Sequence, residues 1–587
     1  MILISESRQI GVQSTYSCLT RTWDECHCLA ATAGAGVILS ENDAWEMVLL
    51  QRMSSRSTHV LTMLVILMMA APASAQDSQQ PVITAAVQVT SNPNPVRAHA
   101  TPLIARNPKN GELVVAEVDV RGSRECAVHI STDDGRSWVQ GGSIQVKPFT
   151  DCSIGAEYGP HVMPFFDNDG VLYVVTTANN PKDLLGETRI PTAEFPRTRS
   201  FVPRNVYLAR STDGGRSFDV RLVYQGPKEN PHRGYNYAPV VAVDPSDPKF
   251  IYVGWAQGEW QSPKEPVKAV VASSSDSGKT FGQPFDISVL QGSEHPWITV
   301  GKDGTVHATY WSKGFGKELA SPTLPVPIAR KEPVPIYYVR STDRGKTWDR
   351  TPIDPGVQAY YRPPVIAADP NSDAVYIAWY STSDPMNFAL TGEGSDRTDI
   401  YLRASTDGGK TWGSRTTVND DASKGANHSL PGISIAPDGR LDVAWNDARN
   451  SPRPPASPGR DRGLLDIYYS SSSDQGRTFA PNIKINDRAI DRARGVWSNN
   501  VNASSAMGIT STDDGVYFAW QDPRAGDNIA QSEDAYFASL QRNGPTLVGE
   551  SSRVPAWGLI AAGTALGLGV GMVLLLLYNR RRTLPHT

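Results

Sequence analysis

Cysteine is scarce in this chain of 587 residues, which contains five in all. Three of them precede residue 53, so only Cys126 and Cys152 remain in the long body of the chain. Two cysteines are too few for a multi-cysteine metal site or a disulfide-rich scaffold. We expect one disulfide between Cys126 and Cys152, and two free thiols are the alternative.

An excess of either charge is also missing, since 56 Lys and Arg stand against 60 Asp and Glu for a net charge of −4. This balance argues against a nucleic-acid partner. Helix-forming blocks rich in Ala, Leu and Glu are few, while the chain contains 49 Gly, 44 Pro and 14 Trp. That mixture is typical of short strands joined by turns and predicts an all-β fold.

An apolar run near the start has the features of an export signal. Residues 53–75 begin with a short polar stretch carrying Arg56, continue through an apolar run and end in Ala73-Ser74-Ala75. This order predicts a secretory signal peptide cleaved after Ala75. Residues 1–52 are then either a leader or an over-extended start with Met53 as the initiator. Residues 76–81 are a linker.

A second apolar run lies near the end of the chain. Residues 554–577 carry no charge and are long enough to cross a bilayer as a helix, and three arginines follow at 580–582. Positive charge flanks the cytoplasmic side of such segments. We therefore expect a linker at 543–553, one transmembrane helix at 554–578 and a cytoplasmic tail at 579–587. The protein would be single-pass in the cell membrane, with its body outside the cytoplasm.

The body, residues 82–542, repeats one pattern of strands seven times. Each unit has an apolar stretch, a turn, a second strand and then a third, and from the third unit onward the second strand contains a tryptophan near its end (Trp255, Trp311, Trp379, Trp445, Trp520). A fourth strand follows in most units. Four-stranded antiparallel units in series are typical of the blades of a β-propeller.

An octapeptide with the pattern S-x-D-x-G-x-[ST]-[WF] follows the third strand in six units. Its aspartates are Asp133, Asp213, Asp276, Asp343, Asp407 and Asp474. Glycine permits a positive φ, and the aspartate oxygens can accept N–H groups of the same turn. A calcium loop needs several acidic ligands, and here only one is constant. The motif therefore predicts a structural hairpin rather than six catalytic carboxylates.

The seventh unit lacks both the octapeptide and a fourth strand. Residues 82–90 form an unassigned strand at the other end of the body, and pairing it with residues 534–540 would complete the last unit. Such pairing removes the exposed edges of an open array. The sequence predicts seven blades closed by the N-terminal strand, and six blades with a side hairpin are the alternative.

The octapeptide resembles the Asp-box, or BNR repeat, of the sialidase superfamily of β-propellers. The resemblance covers residues 82–542. It implies that the Asp-boxes join the third and fourth strands on the face opposite the ligand site. The ligand face would then carry the loops that enter the first strands and the loops that join the second and third strands. We call this face the axial face.

Sialidases bind a carboxylate with three arginines, the first of them in an F/Y-R-I-P motif before the first Asp-box, and use a tyrosine nucleophile with a glutamate. This chain has no such motif there; the nearest match begins at Tyr361-Arg362, after the fourth box. Glu157 and Glu294 are candidates for an acid/base pair. These four residues are the catalytic candidates, and a standard sialidase is not expected.

Polar residues at the starts of the first strands are the candidates for ligand binding. They are Arg97, His99, His161, Arg233, Tyr235, Tyr237, His295 and His428. Two W-x-D-x-R motifs add Arg449 and Arg524, which either bind a ligand carboxylate or pair with aspartates of their own blades. The histidines lack metal-ligand spacing, so we expect no metal and no cofactor.

The sequence therefore predicts a cell-surface propeller that binds a glycan or an extracellular protein or peptide at its axial face. The alternative is an exo-sialidase-like glycoside hydrolase with altered catalytic residues.

Overall fold

The computed structural model describes part of the chain between residues 81 and 542. The described ranges are 81–95, 97–119, 126–144, 162–179, 204–226, 235–258, 267–289, 292–312, 336–354, 364–382, 398–421, 426–451, 463–491, 494–495, 507–526 and 532–542. The predicted signal peptide and membrane segment lie outside these ranges. Within them, no helix has the length and apolar character needed to span a bilayer.

The described strands form seven antiparallel sheets, each of which is one blade. Blade 1 contains β3 (His99–Arg106), β4 (Leu113–Asp119), β5 (Cys126–Ser131) and β6 (Val139–Gln140). Blade 2 contains β7 (Val162–Phe166), β8 (Leu172–Asn179), β9 (Arg204–Ser211) and β10 (Asp219–Tyr224). Blade 3 contains β11 (Tyr235–Val243), β12 (Ile251–Gly258), β13 (Lys268–Ser274) and β14 (Phe285–Asp286). Blade 4 contains β15 (Ser293–Val300), β16 (Val306–Ser312), β17 (Ile336–Ser341) and β18 (Asp349–Asp354).

The remaining three blades follow the same order. Blade 5 contains β19 (Val365–Ala368), β20 (Val375–Thr382), β21 (Thr398–Ser405) and β22 (Thr416–Thr417). Blade 6 contains β23 (His428–Ile435), β24 (Leu441–Asp447), β25 (Leu464–Ser472), β26 (Ile483–Lys484) and β27 (Ile490–Asp491). Blade 7 contains β28 (Gly508–Ser511), β29 (Gly515–Asp522) and β30 (Asp534–Gln541), to which β1 (Val82–Ile83) and β2 (Val87–Gln88) add from the N-terminal side.

The first strands of the blades form a closed ring. Each contacts the first strand of the next blade, and β28 of blade 7 returns to β3 of blade 1. The N-terminal segment pairs antiparallel with β30, with Val82 opposite Gln541 and Val87 opposite Phe537. The prediction of seven blades closed by the N-terminal strand is confirmed. The alternative of six blades with a side hairpin is wrong, because the seventh sheet is an integral part of the ring.

The core lies between neighbouring blades. The tryptophans of the second strands are buried there, and Trp255, Trp379, Trp445 and Trp520 are completely inaccessible to solvent. Burial of one large apolar side chain contributes about 1.5–3 kcal/mol, so these repeated positions are a main source of stability. The repeating tryptophan in the sequence thus marks the contact of one blade with the next.

Each of the six Asp-boxes follows a third strand. Within each turn, hydroxyl and N–H groups of the motif donate hydrogen bonds to its aspartate. In blade 2 the Ser211 hydroxyl donates to Asp213 Oδ1 at 2.6 Å, and the Ser217 hydroxyl donates to Asp213 Oδ2 at 2.6 Å. The Gly215 N–H donates to Ser211 Oγ at 2.7 Å. Because both oxygens of the carboxylate are occupied, the group serves to hold the hairpin.

The constant glycine at the fifth position of the Asp-box also lies against the preceding blade. A Cβ on Gly278 of blade 3 would lie 3.0 Å from Leu208 in β9 of blade 2, and one on Gly409 of blade 5 would overlap the Tyr338 hydroxyl of blade 4. Both glycines have positive φ, +78° and +79°. Glycine is therefore required twice, for the backbone conformation and for the approach of two blades.

The directions of the strands show which loops lie at each face of the ring. The third strands end at the Asp-boxes, and the second strands run antiparallel to them, so the second strands end at the opposite face. The first strands begin at that same opposite face. The starts of β3, β11, β15 and β23 therefore lie at the axial face, as the resemblance implied.

Candidate functional site

Four first strands carry a β-bulge at the same position near the axial face. The register shifts between Ala100 and Leu103, between Tyr237 and Val240, between Glu294 and Trp297, and between Ser429 and Gly432. Each bulge contains a residue other than glycine at positive φ: Thr101 at 51°, Ala238 at 50°, His295 at 50° and Leu430 at 54°. In all four cases a proline comes next in the sequence.

This backbone conformation is energetically costly. A left-handed conformation costs an L-residue about 1–2 kcal/mol, and a following proline normally drives the residue before it toward an extended conformation. The side chains of all four residues are buried, so surrounding packing holds the bulges in place. Bulges and strained residues of this kind are concentrated at functional sites, where they direct side chains.

Aromatic side chains connect the bulges of blades 3, 4 and 6. The rings of Tyr237 and His295 meet edge to face with centroids 5.5 Å apart, and His295 stacks on Trp311 at 6.5 Å. Trp311 also packs against Leu430 of blade 6, with Tyr380 of blade 5 alongside. The predicted ligand residues Tyr237 and His295 therefore belong to one buried aromatic cluster at the axial face.

His99 of blade 1 belongs to a buried ion-pair chain. Its Nδ1 lies 2.9 Å from Glu117 Oε2, and His129 Nε2 lies 3.1 Å from the other oxygen of the same carboxylate. Burial opposes a charge on His99, but attraction to Glu117 outweighs it and raises the pKa of His99. Burial likewise opposes the charge of Glu117, but the two histidines lower its pKa. The glutamate is thus held ionised without contact with solvent.

His428 of blade 6 has two carboxylate partners. Its Nε2 lies 2.9 Å from Asp421 and 3.3 Å from Asp447, while its Nδ1–H donates to the Thr398 carbonyl. Burial opposes protonation, but the two aspartates raise the pKa of His428 to about 10. The histidine is therefore a permanent cation at physiological pH.

Asp421, His428 and Asp447 bring three potential metal-ligand atoms within 4.8 Å of one another. A guanidinium nitrogen of Arg449 lies 3.2 Å from Asp421 and 2.8 Å from Asp447. Two positive side chains therefore already balance the two carboxylates, and a metal ion would stand against the charge of Arg449. The group does not fit a metal centre, and we treat it as an ion-pair network.

Arg449 and Arg524 occupy equivalent positions in their blades. Arg449 binds Asp447 of its own blade and, at 2.7 Å, Asp420 of blade 5. Arg524 binds Asp522 at 2.7 Å and, at 2.8 Å, Asp487 of blade 6. Each arginine therefore joins its blade to the preceding one as well as to its own loop.

A repeated tripeptide in the sequence marks these partners. Val418-Asn419-Asp420 and Ile485-Asn486-Asp487 follow the fourth strands of blades 5 and 6 in the same pattern. In both, the asparagine accepts an N–H of the third strand, at 2.9 Å and 2.8 Å. The tripeptide thus positions the aspartate that receives the arginine of the next blade.

The remaining candidates fall into three groups. Arg97 is bound to Asp534. For Glu294 and Tyr235 only the backbone is described, opposite Trp311 and Gly258 respectively. The others lie outside the described residues: Glu157, His161, Arg233, Tyr361 and Arg362.

Cys126 is buried in β5, with its sulfur 3.0 Å from the Thr176 hydroxyl. Cys152 lies outside the described ranges, so its pairing with Cys126 stays a prediction.

Residues 219–491 match a protein family described as BNR repeat-like domain. No curated protein sequence matches the chain.

Similar solved structures include a protein of unknown function from Dyadobacter fermentans, 14% identical over 78% of this chain and 99% of that one, with a TM-score of 0.41. The Hadza microbial sialidase Hz136 is 14% identical over 71% of this chain and 74% of that one, with a TM-score of 0.38. An α-L-arabinanase from Penicillium chrysogenum is 13% identical over 63% and 94%, with a TM-score of 0.39. The chain is thus a seven-bladed β-propeller that carries BNR-like repeats, with the family match extending over residues 219–491.

Proposed function

We propose that the protein is a membrane-tethered, extracytoplasmic propeller that binds a glycan or an extracellular protein ligand at its axial face without transforming it. The observation that carries this proposal is the set of four strained bulges at the starts of the first strands. Strained backbone conformations are concentrated at binding and active sites, and four of them lie together at one end of the ring.

The charges near the bulges favour binding over hydrolysis. Arg97, Arg449 and Arg524 are each bound to buried aspartates, so these three arginines do not form a free carboxylate-binding triad. His428 is held as a cation by its partners and is a poor general base. The described residues near the bulges form a buried aromatic cluster and fixed ion pairs, and such a preorganised support suits recognition.

A panel of fluorogenic glycosides tested on the full-length chain in mild detergent separates the two functions. We expect no turnover, together with saturable binding to members of a glycan array or to an extracellular protein. Turnover that is abolished by Glu294→Gln or Arg362→Gln would instead establish the glycoside hydrolase.

The tether is proposed from residues 554–578 and is tested separately. We expect the chain to remain in the membrane fraction after an alkaline carbonate wash, and a protease site inserted into the 543–553 linker to release the propeller when cut from outside. Recovery of the uncut chain in the soluble fraction would contradict the tether and leave the binding proposal standing.

A further inference from the structure

A second potential binding region lies at the face opposite the axial one. A groove of about 320 Å³ separates the outer part of blade 2 from the Asp-box of blade 3. Arg210 of β9, Asp219 and Arg221 of β10, and Lys279 of the Asp-box line it. All four belong to the described residues, and none is part of the axial face.

The groove has an excess of positive charge. Three cations face one carboxylate, and Asp219 is already engaged by Arg221, whose Nε and Nη2 donate to the same oxygen at 3.0 Å and 2.7 Å. Arg210 interacts with the Tyr173 hydroxyl deeper in blade 2, and its Nε is buried with no hydrogen-bond partner in the described structure. A buried N–H without an acceptor is costly, so the Arg210 guanidinium at the groove has hydrogen-bonding capacity that no described residue uses.

Blade 4 provides an internal comparison. Arg340 lies opposite Asp349 there just as Arg210 lies opposite Asp219 in blade 2. Arg340 donates to Asp349 at 3.3 Å and to the Gly408 carbonyl of the next Asp-box at 3.4 Å. The arginine of blade 4 therefore bridges to the next blade.

One residue accounts for the difference between the two blades. The position of Arg221, opposite Leu208, is occupied in blade 4 by Thr351, opposite Tyr338. Arg221 binds Asp219 Oδ2 and so competes with Arg210 for that carboxylate. The result is a groove with two positive charges in excess and one arginine N–H without an acceptor.

We propose that this groove binds an oxyanion, namely the carboxylate, sulfate or phosphate group of a small ligand or of an acidic sugar. Guanidinium groups bind such anions through paired N–H donors, and Lys279 adds a point charge at the rim. The volume is at the lower end for small-molecule sites and suits one charged group with one attached ring. The site is independent of the axial face.

Calorimetric titration of the full-length chain at physiological salt tests the proposal, with glucuronic acid, glucose 6-sulfate and inorganic phosphate as separate probes. We expect saturable one-site binding of at least one probe, and the preferred probe identifies the anion. Arg210→Gln should weaken that binding at least tenfold. Arg340→Gln in blade 4 is the matched control and should leave it unchanged.

Arg221→Thr gives the sharpest variant, because it recreates the arrangement of blade 4 and frees Asp219 to bind Arg210. We expect loss of binding with an unchanged thermal midpoint, and Lys279→Gln should weaken binding without affecting folding because Lys279 is exposed. Absence of saturable binding for all three probes, or binding that survives both Arg221→Thr and Lys279→Gln, overturns the proposal.

Discussion

The Arg97 guanidinium binds the Asp534 carboxylate through two hydrogen bonds of 2.7 Å, across 437 residues of sequence. Asp534 begins β30 in blade 7, and its Oδ1 also accepts the Thr90 hydroxyl at 2.9 Å. The N-terminal segment is therefore attached to the last blade by a side-chain pair in addition to the short strands β1 and β2. This attachment closes the ring at the point where the chain begins and ends its circuit.

The first prediction concerns that pair. Arg97→Met should lower the free energy of unfolding by about 2–4 kcal/mol, because it leaves the fully buried Asp534 carboxylate without its partner. Lys109→Met is the matched control: Lys109 and Asp169 form an ion pair in which both side chains are more than half exposed, so the change should stay within about 0.5 kcal/mol. Denaturant titration measures both. Equal effects would mean that the pair does not close the ring.

The sequence predicted the ring and its closure because both depend on repeated local patterns. The tryptophan of the second strand, the Asp-box and the missing fourth strand of the last unit are each readable within one repeat. Pairing of Arg449 with an aspartate of its own blade was one of two alternatives, and Asp447 is that partner. Asp534 as the partner of Arg97 and Asp420 as the second partner of Arg449 were not predicted, since they lie at the far end of the chain and in the preceding blade. The closure pair of Arg97 and Asp534 occurs once in the described structure and so has no repeat to reveal it.

The bulges were not predicted either, although their prolines were visible in the sequence. Proline in a strand indicates an edge or an irregularity, and the residue before it is expected to be extended. Ala238 and Leu430 adopt the left-handed conformation instead, because packing around their buried side chains outweighs the local preference. Only tertiary contacts determine this choice.

The second prediction concerns acid stability. Hydrogen bonds from the Ser137 hydroxyl and N–H lower the pKa of Asp133 to about 2, and the other five Asp-box aspartates have pKa values of about 2 as well. A lowered carboxyl pKa stabilises the fold above the unfolded value near 3.8, and this contribution is lost as the pH falls toward 2. The free energy of unfolding should therefore drop steeply between pH 4 and pH 2.

A single variant isolates this effect. Asp133→Asn should destabilise the protein at pH 6, and the difference from the native chain should shrink by pH 2.5, where the native carboxylate begins to protonate. Asp169→Asn, at an exposed position outside the Asp-boxes, should change little at either pH. A difference for Asp133→Asn that stays constant down to pH 2 would contradict the prediction.

The third prediction concerns His428, whose pKa Asp421 and Asp447 raise to about 10 against the opposing effect of burial. A raised histidine pKa stabilises the fold fully below the unfolded value near 6.5, and the contribution disappears as the pH rises through 10. His428→Gln should therefore cost more stability at pH 8 than at pH 10. Unfolding free energies of variant and native chain, compared at each pH, measure the difference.

His307 supplies the control for that experiment. Burial lowers the pKa of His307 to about 4, and its Nδ1 lies 2.7 Å from the Tyr338 hydroxyl. The ring is neutral in the folded chain at pH 8 and at pH 10, so His307→Gln should destabilise the protein equally at both. A pH-independent effect of His428→Gln would show that its ion pairs do not set its charge.

The fourth prediction separates the two roles of glycine in the Asp-box of blade 5. Gly408 and Gly409 both have positive φ, 72° and 79°. A Cβ on Gly408 meets nothing within 4 Å, so Gly408→Ala should cost only the conformational term of about 1 kcal/mol. A Cβ on Gly409 overlaps the Tyr338 hydroxyl of blade 4, so Gly409→Ala should cost at least about 3 kcal/mol. Similar costs in denaturant titration would contradict the close approach of the two blades.

The last prediction tests the strain in the bulge of blade 3. Ala238→Gly removes about 1–2 kcal/mol of left-handed strain and loses one buried methyl group, worth about 0.8 kcal/mol. Stability should therefore stay constant or rise slightly. Ala242→Gly, at a buried position in the regular part of the same strand, should lower it by about 1–2 kcal/mol.

The two alanine variants also bear on function. If the bulge preorganises the axial face, the added freedom of Ala238→Gly should weaken ligand binding several-fold even though the fold is no less stable. Ala242→Gly should lower stability and leave affinity unchanged. An equal loss of stability in the two variants would show that the backbone at Ala238 is not strained. The structural reason for placing the ligand at this end of the ring would then no longer hold.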